Sequence, residues 1–100
     1  MRALALVLAL AACATPEPQP SYQISPYSSG IEVIGTGQEI GFGRDASGAI
    51  TALSKVKGPR FRRVDAPDCT RLIWDDGFEA HFTPAFSGWV WNGQSAGRLC

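Results

Sequence analysis

The chain is poor in histidine and has no surplus of either charge. It holds one His in 100 residues, and nine Lys and Arg balance nine Asp and Glu. Nucleic-acid binders that work by counterion release carry a clearly basic domain, so a net charge of zero argues against that class. No CxxC pair occurs, which removes the common redox and zinc signatures. With no internal repeat and 100 residues, there is room for one small domain. The sequence therefore reads as a non-enzyme, with no catalytic residue, cofactor or metal expected. Cysteine is also scarce, and its count of three is odd. In an oxidising compartment the leftover thiol needs a reason.

A long apolar run is missing too. Residues 1–12 (MRALALVLALAA) are apolar except for Arg2. As a helix, residues 3–12 would span only ~15 Å, half of a bilayer core of ~30 Å. The stretch is too short to cross a membrane, but it has the charged start and the apolar centre of a signal peptide. Residues 1–12 are read as that signal.

It ends in Leu10-Ala11-Ala12-Cys13. This LAAC resembles the lipobox of bacterial lipoproteins, whose cysteine receives a diacylglyceryl group before the signal is cut ahead of it. The resemblance covers residues 1–13 and implies that Cys13 is the lipidated N-terminus of the mature chain. Two or three acyl chains, each burying methylenes at ~0.8 kcal/mol, anchor a protein stably where one is marginal. Ala14 stands where such proteins carry aspartate when held at the inner membrane. The resemblance thus implies the bacterial cell envelope, at the outer membrane and facing the periplasm, with the lipid bilayer as partner.

Residues 13–29 then form a proline-rich tether. Between positions 14 and 29 lie four of the seven prolines and no glycine. That composition favours extended, polyproline-like chain, and sixteen such residues at ~3.1 Å each reach roughly 50 Å. Tyr22, Ile24 and Tyr27 interrupt the pattern and could pair as an edge strand, but a loose tether fits the composition better. All eleven glycines follow from Gly30 onward, so residues 30–100 are the compact module.

Ile31–Ile34 and Gln38–Phe42 alternate about Gly35-Thr36-Gly37, which predicts a β-hairpin. Asp45 is a good N-cap, and Ala46, Ala49, Ile50, Leu53 and Val56 recur at helical spacing. Lys55 and Lys57 suit a last turn, with Gly58-Pro59 as its stop. One helix is expected over about 45–57. Phe61–Val64 is either a short strand or irregular. Arg71–Trp74, Phe78–Phe82 and Trp89–Trp91 read as strands, with Phe78, Ala80 and Phe82 inward and Glu79 and His81 outward. The predicted fold is α+β, in the order β-β-α-β-β-β, with the helix on an antiparallel sheet. Beyond the lipobox the chain loosely resembles small bacterial lipoproteins in which a "GFGRD…GAI…LSKVKG" helix segment and a "GW" strand follow the anchor. That likeness adds location and no mechanism.

In the periplasm that the lipobox implies, Cys69 and Cys100 are expected to form a disulfide. A meander ending at Trp91 then requires residues 92–99 to run back along the sheet. Two free thiols in a redox or metal site are the alternative, but no CxxC or neighbouring His supports it.

Several clusters invite a functional reading. Gly41-Phe42-Gly43-Arg44-Asp45-Ala46 fits GxGxxA, but a dinucleotide site needs a parallel βαβ unit, and a hairpin precedes this helix. Lys55, Lys57, Arg60, Arg62 and Arg63 put five cations within nine residues with no acid among them. They could meet lipid phosphates, an anionic glycan or an acidic envelope protein, or simply end a helix in solvent. Glu79, His81, Asp75 and Asp76 could bind a metal or exchange protons, but one His without a second ligand is a weak site. Trp74, Phe86, Trp89 and Trp91 could stack on cell-wall sugars or fill the core. The sequence points to a membrane-anchored binding or envelope-assembly module that works through surface contacts, with Lys55, Lys57, Arg60, Arg62, Arg63, Trp89 and Trp91 as the candidate binding residues. The alternative is a peptidoglycan or other glycan binder using Trp89 and Trp91.

Overall fold

The computed structural model describes residues 22–100. The expected signal peptide, the lipobox-like Leu10–Cys13 and the first part of the expected tether lie outside the described residues. Eight strands and one helix follow one another: β1 Ile24–Tyr27, β2 Gly30–Val33, β3 Gln38–Gly41, α1 Ala46–Lys57, β4 Phe61–Ala66, β5 Cys69–Trp74, β6 Glu79–Phe82, β7 Phe86–Trp91 and β8 Gln94–Gly97. They form a three-stranded sheet, β1-β2-β3, and a five-stranded sheet, β4-β5-β6-β7-β8. Every described ladder is antiparallel.

The helix forms where its capping and periodicity agree. The Asp45 carboxylate accepts the Gly48 N–H at 2.8 Å, and the Gly58 N–H closes on Ser54 O at the other end. Ala49 and Leu53, four apart, are fully buried. Asp45→Ala removes the acceptor for one of the first-turn amides and is expected to cost about 1 kcal/mol. Urea denaturation checks it, and an unchanged midpoint would show that the cap contributes nothing.

One core joins the helix to both sheets: Ile31, Val33 and Ile40 from the first, Leu53 from α1, Leu72 and Phe82 from the second, and Phe78 from the turn between β5 and β6. The ladder of the large sheet sorts its side chains. Leu72, Ala80, Trp89 and Ala96 lie in one row across the core face. On the opposite face the corresponding row is Val64, Arg71, His81, Gly88 and Gly97. A register shift at His81/Phe82 lets both Phe86 and Trp89 point inward although they are three residues apart. An extra residue at a bulge inverts the alternation there. Two indole N–H groups bind the layers together: Trp89 donates to Tyr27 O at 2.8 Å, and Trp74 to Gly58 O at 3.0 Å.

The α+β class, the helix and the hairpin agree with the sequence reading, and three features correct it. The strands divide between two sheets, where one sheet under the helix was expected. Ile24–Tyr27, assigned to the tether, is a strand, because Ile24 is buried and its neighbours pair along β2. After the helix there are five strands in place of three, since Phe61–Ala66 pairs fully with β5 and Gln94–Gly97 with β7. The order is therefore β-β-β-α-β-β-β-β-β. The β3–α1 junction lacks a βαβ unit, so the GxGxxA match is a turn: Gly43 takes φ 96° and its N–H donates to Phe86 O.

Candidate functional site

The basic run does not form one patch. Lys57 leaves it first. Its side chain is only 11% exposed, its ammonium is paired with Asp76, and its Nζ lies 5.3 and 5.2 Å from the ring centroids of Phe78 and Trp91. This cation over two rings holds the helix end to the large sheet. Lys55 is exposed on α1 and lines a groove of about 650 Å³ against Val33, Ile40 and Arg44. Arg60, Arg62 and Arg63 come together at β4, all exposed.

β4 is an edge of the five-stranded sheet, so one side of its backbone pairs with β5 and the other with no described strand. Successive side chains leave a strand on opposite faces, which sends Arg62 to the outer face and Arg63 to the face that carries Leu72. Arg63 Nε meets both oxygens of Asp65 at 3.2 Å. The Thr70 hydroxyl and the Arg63 guanidinium hold the Asp65 carboxyl below its ordinary value. Arg60 and Arg62 have no ion-pair partner among the described residues.

The outer face of the sheet carries a second arrangement. Glu79 Oε1 lies 3.0 Å from His81 Nε2 and 3.5 Å from an Arg71 guanidinium nitrogen. The outward direction expected for Glu79 and His81 is correct, yet His81 is only 4% exposed. Residues Arg98–Cys100 cross over it as a strap. The Arg98 N–H donates to Ser87 O, the Ser87 hydroxyl to Arg98 O, and the Cys100 N–H to His81 Nδ1 at 2.9 Å. With Nδ1 accepting, Nε2 carries the ring hydrogen toward Glu79. The strap ends at the Cys69–Cys100 disulfide, with Cα atoms 5.5 Å apart. Gly88 makes the crossing fit, because a Cβ there would lie 2.6 Å from Arg98 O. Asp75 and Asp76 do not join this cluster, and no group of three metal-ligating side chains occurs among the described residues.

Asp76 works on the other side of the molecule. Burial pushes its carboxyl up, but the hydrogen bonds from Lys57 and the Phe78 N–H outweigh that and hold it below the ordinary 3.8. A depressed carboxylate contributes stability above its unfolded value and loses it as pH falls through the folded one. The module should therefore lose this contribution below about pH 4, and Asp76→Asn should flatten that part of the curve. Because the Asp76 side chain is 43% exposed, the effect at neutral pH stays within about 1 kcal/mol. Thermal melts between pH 2 and pH 7 check it. Parallel curves for wild type and variant would rule the linkage out.

The tryptophans are packing elements. Trp74 and Trp89 are 4% and 5% exposed, and Trp91 is half-buried, edge-on to Phe78 and beneath Lys57. The sequence does not announce Arg71 as a partner of Glu79 or the crossing over His81; the expected return of residues 92–99 along the sheet to Cys69 was the only sign of the latter. No helix among the described residues is long and apolar enough to span a membrane. Compared with known proteins, the chain matches no family model, no curated protein and no solved structure.

Proposed function

We propose that this chain is a bacterial lipoprotein held in the outer membrane by acylated Cys13. Its periplasm-facing module is a non-enzymatic binding element for envelope assembly, and its docking surface is the β4 edge. The observation that carries the binding reading is the pair of exposed, unpartnered cations Arg60 and Arg62 beside an open strand edge. Solvated cations on a surface favour an acidic partner and speed its encounter. The anchor reading rests on LAAC at residues 10–13, and the disulfide suits an oxidising compartment. Glycan stacking gains nothing from the tryptophans, whose rings are occupied in packing.

Two experiments test the reading separately. Mass spectrometry of the membrane fraction should find a chain starting at Cys13 with added acyl mass, and Cys13→Ala should leave the protein unprocessed. A mature Cys13 without acyl mass refutes the anchor. For the surface, crosslinking in intact cells should yield a discrete adduct that is lost in Arg60→Glu/Arg62→Glu with the fold intact. An adduct indifferent to that double reversal refutes this surface.

A further inference from the structure

The five-stranded sheet ends on β4, and β4 differs from the other exposed edges. β1, β3 and β8 are each four residues long; β1 contains Pro26, and β8 closes on Gly97 at φ 79°. β4 is six residues long, has no proline, and keeps an unbroken register with β5 from Phe61 to Ala66. Sheet proteins commonly blunt such edges with prolines, bulges, a covering segment or charged side chains. Among the described residues β4 has only the last of these, Arg62, Arg63 and Asp65, so its alternate N–H and C=O groups face outward and its charges admit only a strand of complementary pattern.

We propose that β4 takes an extended acidic polypeptide segment as a sixth strand of this sheet. The inference rests on the binding reading above and specifies its mode. An added antiparallel strand places one residue opposite each of β4's, on the same face. Acidic residues then belong opposite Arg62 and Arg63, adjacent in the partner and on opposite faces. A β-branched apolar residue belongs opposite half-buried Val64, and a hydroxyl residue opposite Asp65, where a carboxylate would be repelled. Arg60, just before the strand, extends the positive end. Backbone hydrogen bonds supply affinity in this mode, and the side-chain pattern supplies choice. The chemistry selects an acid-bearing extended peptide over a phosphate surface, because a phosphate cannot satisfy the row of outward amides and carbonyls.

The probe is a capped hexapeptide reading serine, threonine, valine, glutamate, glutamate, valine, added to the full chain in detergent at low salt. Hydrogen exchange followed by NMR should show the alternate outward amides of Phe61–Ala66 slowing at least about fivefold at saturation, while the inward set is unchanged. N-methylating the peptide amides that face β4 should abolish binding. Replacing both glutamates by glutamines should weaken it about tenfold or more. Arg62→Glu/Arg63→Glu should reject the glutamate peptide and accept its lysine counterpart. Both positions are exposed, and near-ultraviolet circular dichroism verifies the fold of the variant. Binding that ignores N-methylation or slows no outward amide would leave an anionic docking surface and overturn strand addition. No binding would overturn strand addition and the acidic-partner reading together. Outward amides already protected without peptide, increasingly with protein concentration, would give the edge to a second copy and also overturn the proposal.

Discussion

Cys69→Ser is expected to lower the thermal midpoint by roughly 15–25 °C. The cysteines are 31 residues apart, and closing a loop of that size in the unfolded chain is worth about 3–4 kcal/mol in the chain-entropy description. A small domain with a total stability of about 5–15 kcal/mol feels that loss strongly. The strap adds a local consequence. Once the disulfide is open, Arg98–Cys100 keeps its bonds to Ser87 and His81 but loses its covalent tie to β5, so His81 should gain solvent access before the sheet unfolds. Melts followed by circular dichroism, with Cys13 acylated or replaced, test both points. Wild type in a thiol reductant should match the variant, and the variant should ignore the reductant. A shift under about 5 °C would mean that the disulfide is incidental to stability.

Trp89→Ala should cost about 3–5 kcal/mol, as truncation of a buried aromatic does. Two losses coincide. The indole leaves a cavity in the row Leu72, Ala80, Ala96, and Tyr27 O loses the N–H donor that ties β1 to the large sheet. Trp91→Ala removes a half-buried ring and a seat for the Lys57 ammonium, and should cost less than about 2 kcal/mol. Urea titrations of both variants give the ranking. Near-wild-type stability for Trp89→Ala would contradict the core assignment and return its ring to the list of candidate ligand contacts.

The parts of this fold that could be read from the sequence are those in which local chemistry and packing agree. Asp45, the spacing of Ala49 and Leu53, and Gly58 define the helix without reference to anything distant. Gly35-Thr36-Gly37 does the same for the hairpin β2–β3, and Phe78, Ala80 and Phe82 declare their inward face by alternation. Gln94–Gly97 carries no such pattern. It is a strand because β7 offers it a ladder, and QSAG has neither the β-branched residues nor the alternation that would announce it. Ile24–Tyr27 was hidden by Pro26, which an edge strand tolerates and a central one does not. Division into two sheets depends on which strands meet across the core, and no local signal states that.

The candidate surface was legible to a similar degree. Five cations close in sequence promised a patch, but direction along the chain decided their fates. Lys57 turns to Asp76 and two rings, Arg63 to Asp65, and only Arg60 and Arg62 stay unengaged at the edge. His81 was placed on the correct face by period two. Its burial comes from a segment that arrives from the far end of the module, which no alternation could reveal. Trp89 and Trp91 share the core face as period two requires, and the cover over them is supplied by α1 and by β1–β3.

The ladder of the large sheet joins each strand to its neighbour in sequence, whereas the Trp89–Tyr27 hydrogen bond joins residues 62 apart. Contacts of low sequence separation form quickly, and distant ones must wait for a costly loop to close. The five strands can therefore zip as successive hairpins, with each turn priming the next. The slow event is then expected to be the meeting of the N-terminal sheet with β7, with the indole of Trp89 at the point where that search ends.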